Sequence, residues 1–190
     1  QHGSNLYPFQ FYYEDLSVFD FNCIEWHWHT ELEFIYIESG TVTLWIGEDQ
    51  FHLTEGNGIF INTKVLHRLY SPSKALIPNF VFMPSFIAPC DSLIYQKYIL
   101  PIISSSLPFL VFHKKVCWQA KVLSIMRQII SAQDSVLSKE LLTSSLLQNL
   151  WLEIFENTDI SYQEEHKDHS TASQARLQLM LQFIHLNYSR

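Results

Sequence analysis

Charge, glycine and cysteine are all scarce in this sequence. Of its 190 residues only 16% are charged, five are glycine, and the three cysteines (Cys23, Cys90, Cys117) stand far apart. So little glycine excludes a collagen-like chain, and 47% apolar residues exclude a wholly disordered one. An odd, scattered set of cysteines carries neither a disulfide framework nor a C-x-x-C metal spacing, so reduced thiols are expected. Long hydrophobic runs are missing too. The most apolar stretches, 75–89 and 98–112, are interrupted by Pro78, Pro84, Pro101 and Pro108, so no membrane span is expected. No basic-then-apolar leader opens the sequence, which points to a cytoplasmic protein. There is no glycine-rich phosphate loop, and Ser104–Ser106 lacks the glycines of a nucleophile elbow. No catalytic residue is assigned.

Positive charge is the remaining shortage. Twelve Lys and Arg stand against 19 Asp and Glu, a formal charge of −7. A chain that grips nucleic acid with its own surface should be basic. The deficit is local: residues 1–112 hold eleven acidic and four basic residues, whereas residues 113–190 hold eight of each.

What the sequence does contain is β-pattern followed by helix-pattern. Glu33–Glu38 and Thr41–Ile46 are rich in β-branched and aromatic residues, and Ser39-Gly40 between them predicts a hairpin. Gly47–Asp49 and Glu55–Gly58 predict further turns, around strands at Gln50–Leu53 and Ile59–Asn62. Arg68–Tyr70 and Asn79–Met83 are further short candidates. Regularly spaced short strands indicate a sandwich or barrel. After about residue 113 the period becomes helical. Val122, Ile125, Met126, Ile129 and Ile130 mark one helix, and a second runs from Ser138 to about Glu156. In the second, Leu142, Leu146, Leu150 and Ile154 recur at four-residue steps beside a row of Leu147, Trp151 and Phe155. A stripe this wide predicts contact with its own domain and with a partner subunit. The polar run Thr158–Ser173, with His166 and His169, predicts a solvated linker. Thr171 and Gln174 fit a capping box for a third, amphipathic helix carrying Leu177, Met180, Leu181, Ile184 and Tyr188.

The most specific chemistry lies in His27-Trp-His29-Thr-Glu-Leu-Glu33. Strand side chains alternate, so on a regular strand His27, His29 and Glu33 share one face. The opposite parity puts Trp26, Trp28, Phe34 and Tyr36 beneath the helices. His67, after the Gly56–Gly58 turn, is a fourth candidate. Imidazoles plus a carboxylate suit a divalent metal such as Zn, Fe or Ni; the other reading is a hydrogen-bonded Glu–His cluster.

This pattern resembles the first cupin motif, H-x-H-x(3)-E-x(6)-G, matched in full by His27, His29, Glu33 and Gly40. The glycine expected before it is replaced by Phe21. The second motif is matched only by Gly56 and His67, with Asn62, Lys64 and Ser71 in place of its proline, glycine and asparagine. Nearly the whole chain resembles the AraC-type bacterial transcription regulators, through "HWHTELEFIYIESGTVTLWIGEDQFHLTEGNGIFINTKVLHRL", "SLPFLVFHKK" with the two helices after it, and "ARLQLMLQFIHLNYSR". The resemblance implies a mainly β fold with α: a cupin-like double-stranded β-helix (jelly-roll) barrel over 1–112, then a helical dimerisation subdomain over 113–157. A linker over 158–172 and the first helix of a truncated helix-turn-helix domain over 173–190 would follow. The implied function is that of a regulator, not an enzyme. A small-molecule effector, with a sugar one candidate, would bind a cavity bordered by His27, His29, Glu33, Ile35 and His67. The protein would be a homodimer through Leu142, Leu146, Leu150, Trp151 and Ile154. It would reach DNA only through the missing domain. No cofactor is expected on this reading, although His27, His29, Glu33 and His67 keep a metal in play. The alternative is a metal-dependent cupin dioxygenase or isomerase using those four residues.

Overall fold

In the computed structural model, which describes residues 3–158, nine strands form two antiparallel sheets. The strands are β1 (Phe9–Asp15), β2 (Cys23–His27), β3 (Leu32–Tyr36), β4 (Thr41–Ile46), β5 (Asp49–Thr54), β6 (Gly58–Ile61), β7 (His67–Tyr70), β8 (Leu76–Phe82) and β9 (Phe109–Phe112). One sheet runs β1-β8-β3-β6-β9 and the other β2-β7-β4-β5. Successive strands mostly alternate between the sheets, the winding of a double-stranded β-helix. A π-helical turn at Tyr95–Ile99 leads into a short helix, α1 (Leu100–Ile103). Two long helices, α2 (Cys117–Ala132) and α3 (Lys139–Asn157), follow β9.

The central strands of the five-stranded sheet, β3, β6 and β8, are buried on both faces, and the period-two rule assigns each of their side chains to one side or the other. On β3, Ile35 packs inside the barrel with Ile37, Val42, Leu44, Ile59 and Leu69. Leu32, Phe34 and Tyr36 point the other way and join α2 and α3 through Phe60, Met126, Leu150 and Trp151. Trp151 meets Phe60 edge-on at 6.0 Å, and its Nε1 donates to the carbonyl of Tyr98 at 2.9 Å. Gly58 permits α2 to lie this close: a Cβ there would stand 2.9 Å from Leu123 and 3.2 Å from the Ile35 carbonyl.

Three expectations are corrected. Ser39-Gly40 does not close a hairpin, because β3 and β4 belong to different sheets. The chain crosses there, and Gly40 (φ 87°) lies so close to the Lys74–Ala75 backbone that a Cβ would stand 2.6 Å from the Lys74 oxygen. The β4–β5 turn at Gly47 is a true hairpin, with Ile46 opposite Asp49. Trp26 and Trp28 do not lie beneath the helices: Trp26 is exposed on β2 of the four-stranded sheet and Trp28 lies in the turn after it, while Phe34 and Tyr36 do face α2 and α3. Of the expected dimer residues, Leu146, Leu150, Trp151 and Ile154 are buried within the chain, because that stripe is the face α3 turns to α2 and the sheet. Only Leu142 remains partly exposed. The expected linker beyond Thr158, His166 and His169, and the expected terminal helix lie outside the described residues.

Candidate functional site

His27, His29, Glu33 and His67 come together at one end of the barrel, but not from one strand. His27 ends β2 and His67 begins β7, in the four-stranded sheet, while Glu33 lies on β3 in the other. His29 lies in the turn between β2 and β3. The regular strand expected from His27 to Glu33 is therefore broken, and the convergence spans the two sheets.

A β-bulge aims His27. Ile24 pairs with Leu69 and His27 with His67, so β2 spends three steps where β7 spends two. Ile24 and Leu69 both line the barrel interior. On a regular strand His27, three residues after Ile24, would point outward; the extra residue turns it back in. The His27 and His67 rings then lie 4.1 Å apart, and His29 and His67 5.4 Å. The turn carrying His29 is tied down by Lys64, whose N–H donates to the His29 carbonyl at 2.7 Å.

Backbone carbonyls fix the three imidazoles. Nδ1 of His27 donates to the Glu25 carbonyl at 2.8 Å, Nδ1 of His29 to Glu31 at 3.0 Å, and Nδ1 of His67 to Val65 at 2.9 Å. A carbonyl only accepts, so each Nδ1 carries hydrogen and each Nε2 is the nitrogen left for the site. Nε2 of His29 and of His67 each lie 3.0 Å from Oε2 of Glu33. Burial would raise the Glu33 carboxyl, but His29 and His67 outweigh it and hold the group well below its ordinary range. Burial pulls His29 down, but Glu33 outweighs it and the net shift is upward. His27 is lowered to about 4, first by burial and then by His67, and is neutral at pH 7.

The residues fit a divalent metal. One ligand atom from each lies within 4.8 Å of the others. His67 Nε2 is fully buried and, although close to Glu33, makes no aligned hydrogen bond. A buried polar nitrogen without an aligned partner in the chain is a group that a bound cation would complete. Three Nε2 atoms, each backed by an Nδ1–H bonded to a carbonyl, and one carboxylate form a ligand set with its outer support in place. The second cupin motif has changed residues without losing this geometry. Asn62 is buried and donates to the Ile102 and Leu107 carbonyls, and Ser71 donates to Thr41.

A cavity of about 210 Å³ opens beside the cluster, between the sheets. His27, His29, Glu33 and Ile35 line it; His67 stands behind them in the cluster. Sequence reasoning missed three polar lining residues: Tyr12 and Glu14 on β1, and Asn79 on β8. Asn79 Nδ2 donates to Glu14 Oε2 at 2.8 Å. The signal for β1 was present in the alternation of Phe9, Phe11 and Tyr13 with Gln10, Tyr12 and Glu14.

A two-sheet cupin-like barrel with a lined interior cavity and two helices packed on its outer face defines a ligand-binding domain. The chain belongs to the AraC-like ligand binding domain family, whose model matches residues 10–178. It is 26% identical over 167 residues to the HTH-type transcriptional regulator YdeC of Bacillus subtilis. That match takes in 85% of this chain and 55% of the relative, so the chain spans about half the relative's length. Two structures of ToxT from Vibrio cholerae share the fold. One superposes with TM-score 0.56 at 13% identity, covering 96% of this chain and 68% of that one. The other, of apo ToxT, gives 0.56 at 12% identity over 82% of this chain and 58% of that one.

Proposed function

We propose that this domain senses a small molecule in its barrel and relays occupancy to a helix-turn-helix DNA-binding domain in the whole regulator. The observation that carries this reading is the cavity between the sheets, one wall of which is the sheet that supports α2 and α3. A molecule touching Glu33 or Ile35 presses on a strand whose alternate residues, Phe34 and Tyr36, belong to the helix interface. Occupancy of the cavity thus acts on the helices through one strand. The test is genome-wide DNA occupancy of the full-length regulator, comparing wild type with a cavity-filling Val81→Phe variant. A changed set or strength of occupied sites is expected; identical occupancy overturns the proposal.

The regulator is proposed to work as a homodimer through an outer face of α3 carrying Leu141, Leu142 and Leu152. Leu141 is 77% exposed and Leu152 51%. Eleven residues separate them, about three helical turns, so they lie on one side of the helix. The domain partition 1–112, 113–157, 158–172 and 173–190 is kept as part of this proposal, as is a cytoplasmic location. Among the described residues no helix is long and apolar enough to cross a membrane.

A metal-dependent cupin enzyme is the second reading, and the four-residue cluster is what favours it. His27, His29, Glu33 and His67 would hold the ion, which when bound supplies Lewis acidity. The chain's own part would be to fix the imidazoles through their Nδ1–H bonds and to leave the cavity beside them for a small molecule. Elemental analysis of protein purified without chelator tests it: near-stoichiometric Fe, Ni or Zn that is lost in His29→Ala supports the metal centre. Metal-free protein whose effector-dependent DNA occupancy is intact overturns the enzyme reading.

A further inference from the structure

The two sheets furnish the cavity differently. The five-stranded sheet contributes Tyr12, Glu14, Glu33 and Asn79, interleaved with Ile35, Ile77 and Val81, with no lysine or arginine among the lining residues. The four-stranded sheet contributes the aliphatic Ile24 and Leu69, with His27 at the end of β2. Glu14 takes one hydrogen bond, from Asn79, and makes no ion pair with a cation among the described residues. Its neighbour Tyr12 reports the local field. The phenol is raised first by burial and then by Glu14, Glu31 and Glu33, so three carboxylates act on this wall together.

Three ligand classes can be compared against these walls. An anion would enter a field of carboxylates and meet no lysine or arginine to receive it. A polyol presents hydroxyls on every side, and those turned toward the aliphatic wall would lose water without gaining a partner. Nor does the wall offer a sugar ring an aromatic platform beyond Tyr12. A short aliphatic ammonium matches both halves: its N–H groups donate to carboxylate and phenol oxygens, and its hydrocarbon covers the branched side chains.

We propose that the cavity takes a small aliphatic ammonium compound, with its nitrogen on Glu14 and its hydrocarbon against Ile24, Ile35 and Leu69. This rests on the reading of the barrel as the effector site and narrows it to organic cations.

The test is calorimetric titration of the chelator-treated chain with n-butylammonium, 1-butanol, butyrate and D-xylose. The first two match in heavy-atom count and differ in charge. Butylammonium is expected to bind at least about tenfold more tightly than each of the others. Glu14→Gln is expected to erase that preference, and Glu14→Asp, which keeps the carboxylate, to retain it. Equal or tighter binding of butanol, butyrate or xylose overturns the assignment of charge while leaving the effector cavity standing. Unchanged preference in Glu14→Gln, or no binding of butylammonium, also overturns it. The sensor reading is then decided separately, by the DNA occupancy of the full-length regulator.

Discussion

Phe21 and Lys64 hold left-handed backbone conformations, φ 57° and 61°, where the two cupin motifs carry glycine. The fold has kept the backbone turn and lost the residue that adopts it without strain. Phe21 is 89% exposed, so its ring gives up little burial when removed. Phe21→Gly is expected to stabilise the domain by about 0.5–1 kcal/mol, after allowing for the greater freedom of glycine in the unfolded chain. A higher urea midpoint at unchanged slope would register the gain. Glu14 gives a second prediction. Burial, and the charge of Glu33 after it, raise its carboxyl, while Asn79 offsets this in part. A carboxyl raised in the folded state binds protons the unfolded chain has released, so stability falls as pH rises from the unfolded value of 4.5 through the folded one. Glu14→Gln is therefore expected to raise Tm at pH 7, by roughly 1–3 °C, and to lose that gain below about pH 4.5. Thermal melts across pH 4–8 decide it, and a gain that persists at pH 4 sinks the electrostatic explanation. The motif residues of this site were legible because metal-ligand types at short spacing are rare in sequence. Tyr12, Glu14 and Asn79 were not, since a polar residue on a cavity wall and one facing solvent obey the same alternation.

Elements were more legible than their pairing. The periods of β4, β5, β6, α2 and α3 gave both their type and their approximate limits, because apolar spacing is a local property. Which sheet each strand joins is not local. Ser39-Gly40 has the composition of a tight turn, yet Gly40 serves a crossover, where the backbone of Lys74–Ala75 passes too close for any side chain. Gly40→Ala combines a positive φ with that collision and is expected to cost about 2–4 kcal/mol, measured by urea denaturation. A cost below about 0.5 kcal/mol would mean the crossover can yield. The bulge in β2 was equally hidden, since one extra residue leaves no mark on composition. In α3 the four-residue row reads as a subunit interface, but Leu146, Leu150 and Ile154 are spent on this chain's own sheet and α2. Leu150, 1% exposed, is expected to cost about 2–5 kcal/mol when replaced by Ala, with no change in association state by sedimentation.

For the molecule as a whole, the acidity belongs to the barrel half of the chain, and the cavity shares its sign. On the dimer proposal, Leu152→Glu should leave the thermal midpoint within about 2 °C, because the residue is half exposed and makes none of the core. The same change should shift the sedimenting species from dimer to monomer. A dimer of unchanged affinity would move the interface elsewhere. The most demanding consequence concerns β3. It is a partition one residue thick, with Glu33 and Ile35 furnishing one compartment and Phe34 and Tyr36 the other. Loss or gain of a single residue here would exchange the furnishings wholesale, placing phenyl rings among the imidazoles and a carboxylate under the helices. Length, more than identity, is what this segment cannot vary. Chains as dissimilar as 12% can share the architecture, but related domains that keep both compartments should align through Leu32–Tyr36 without a gap.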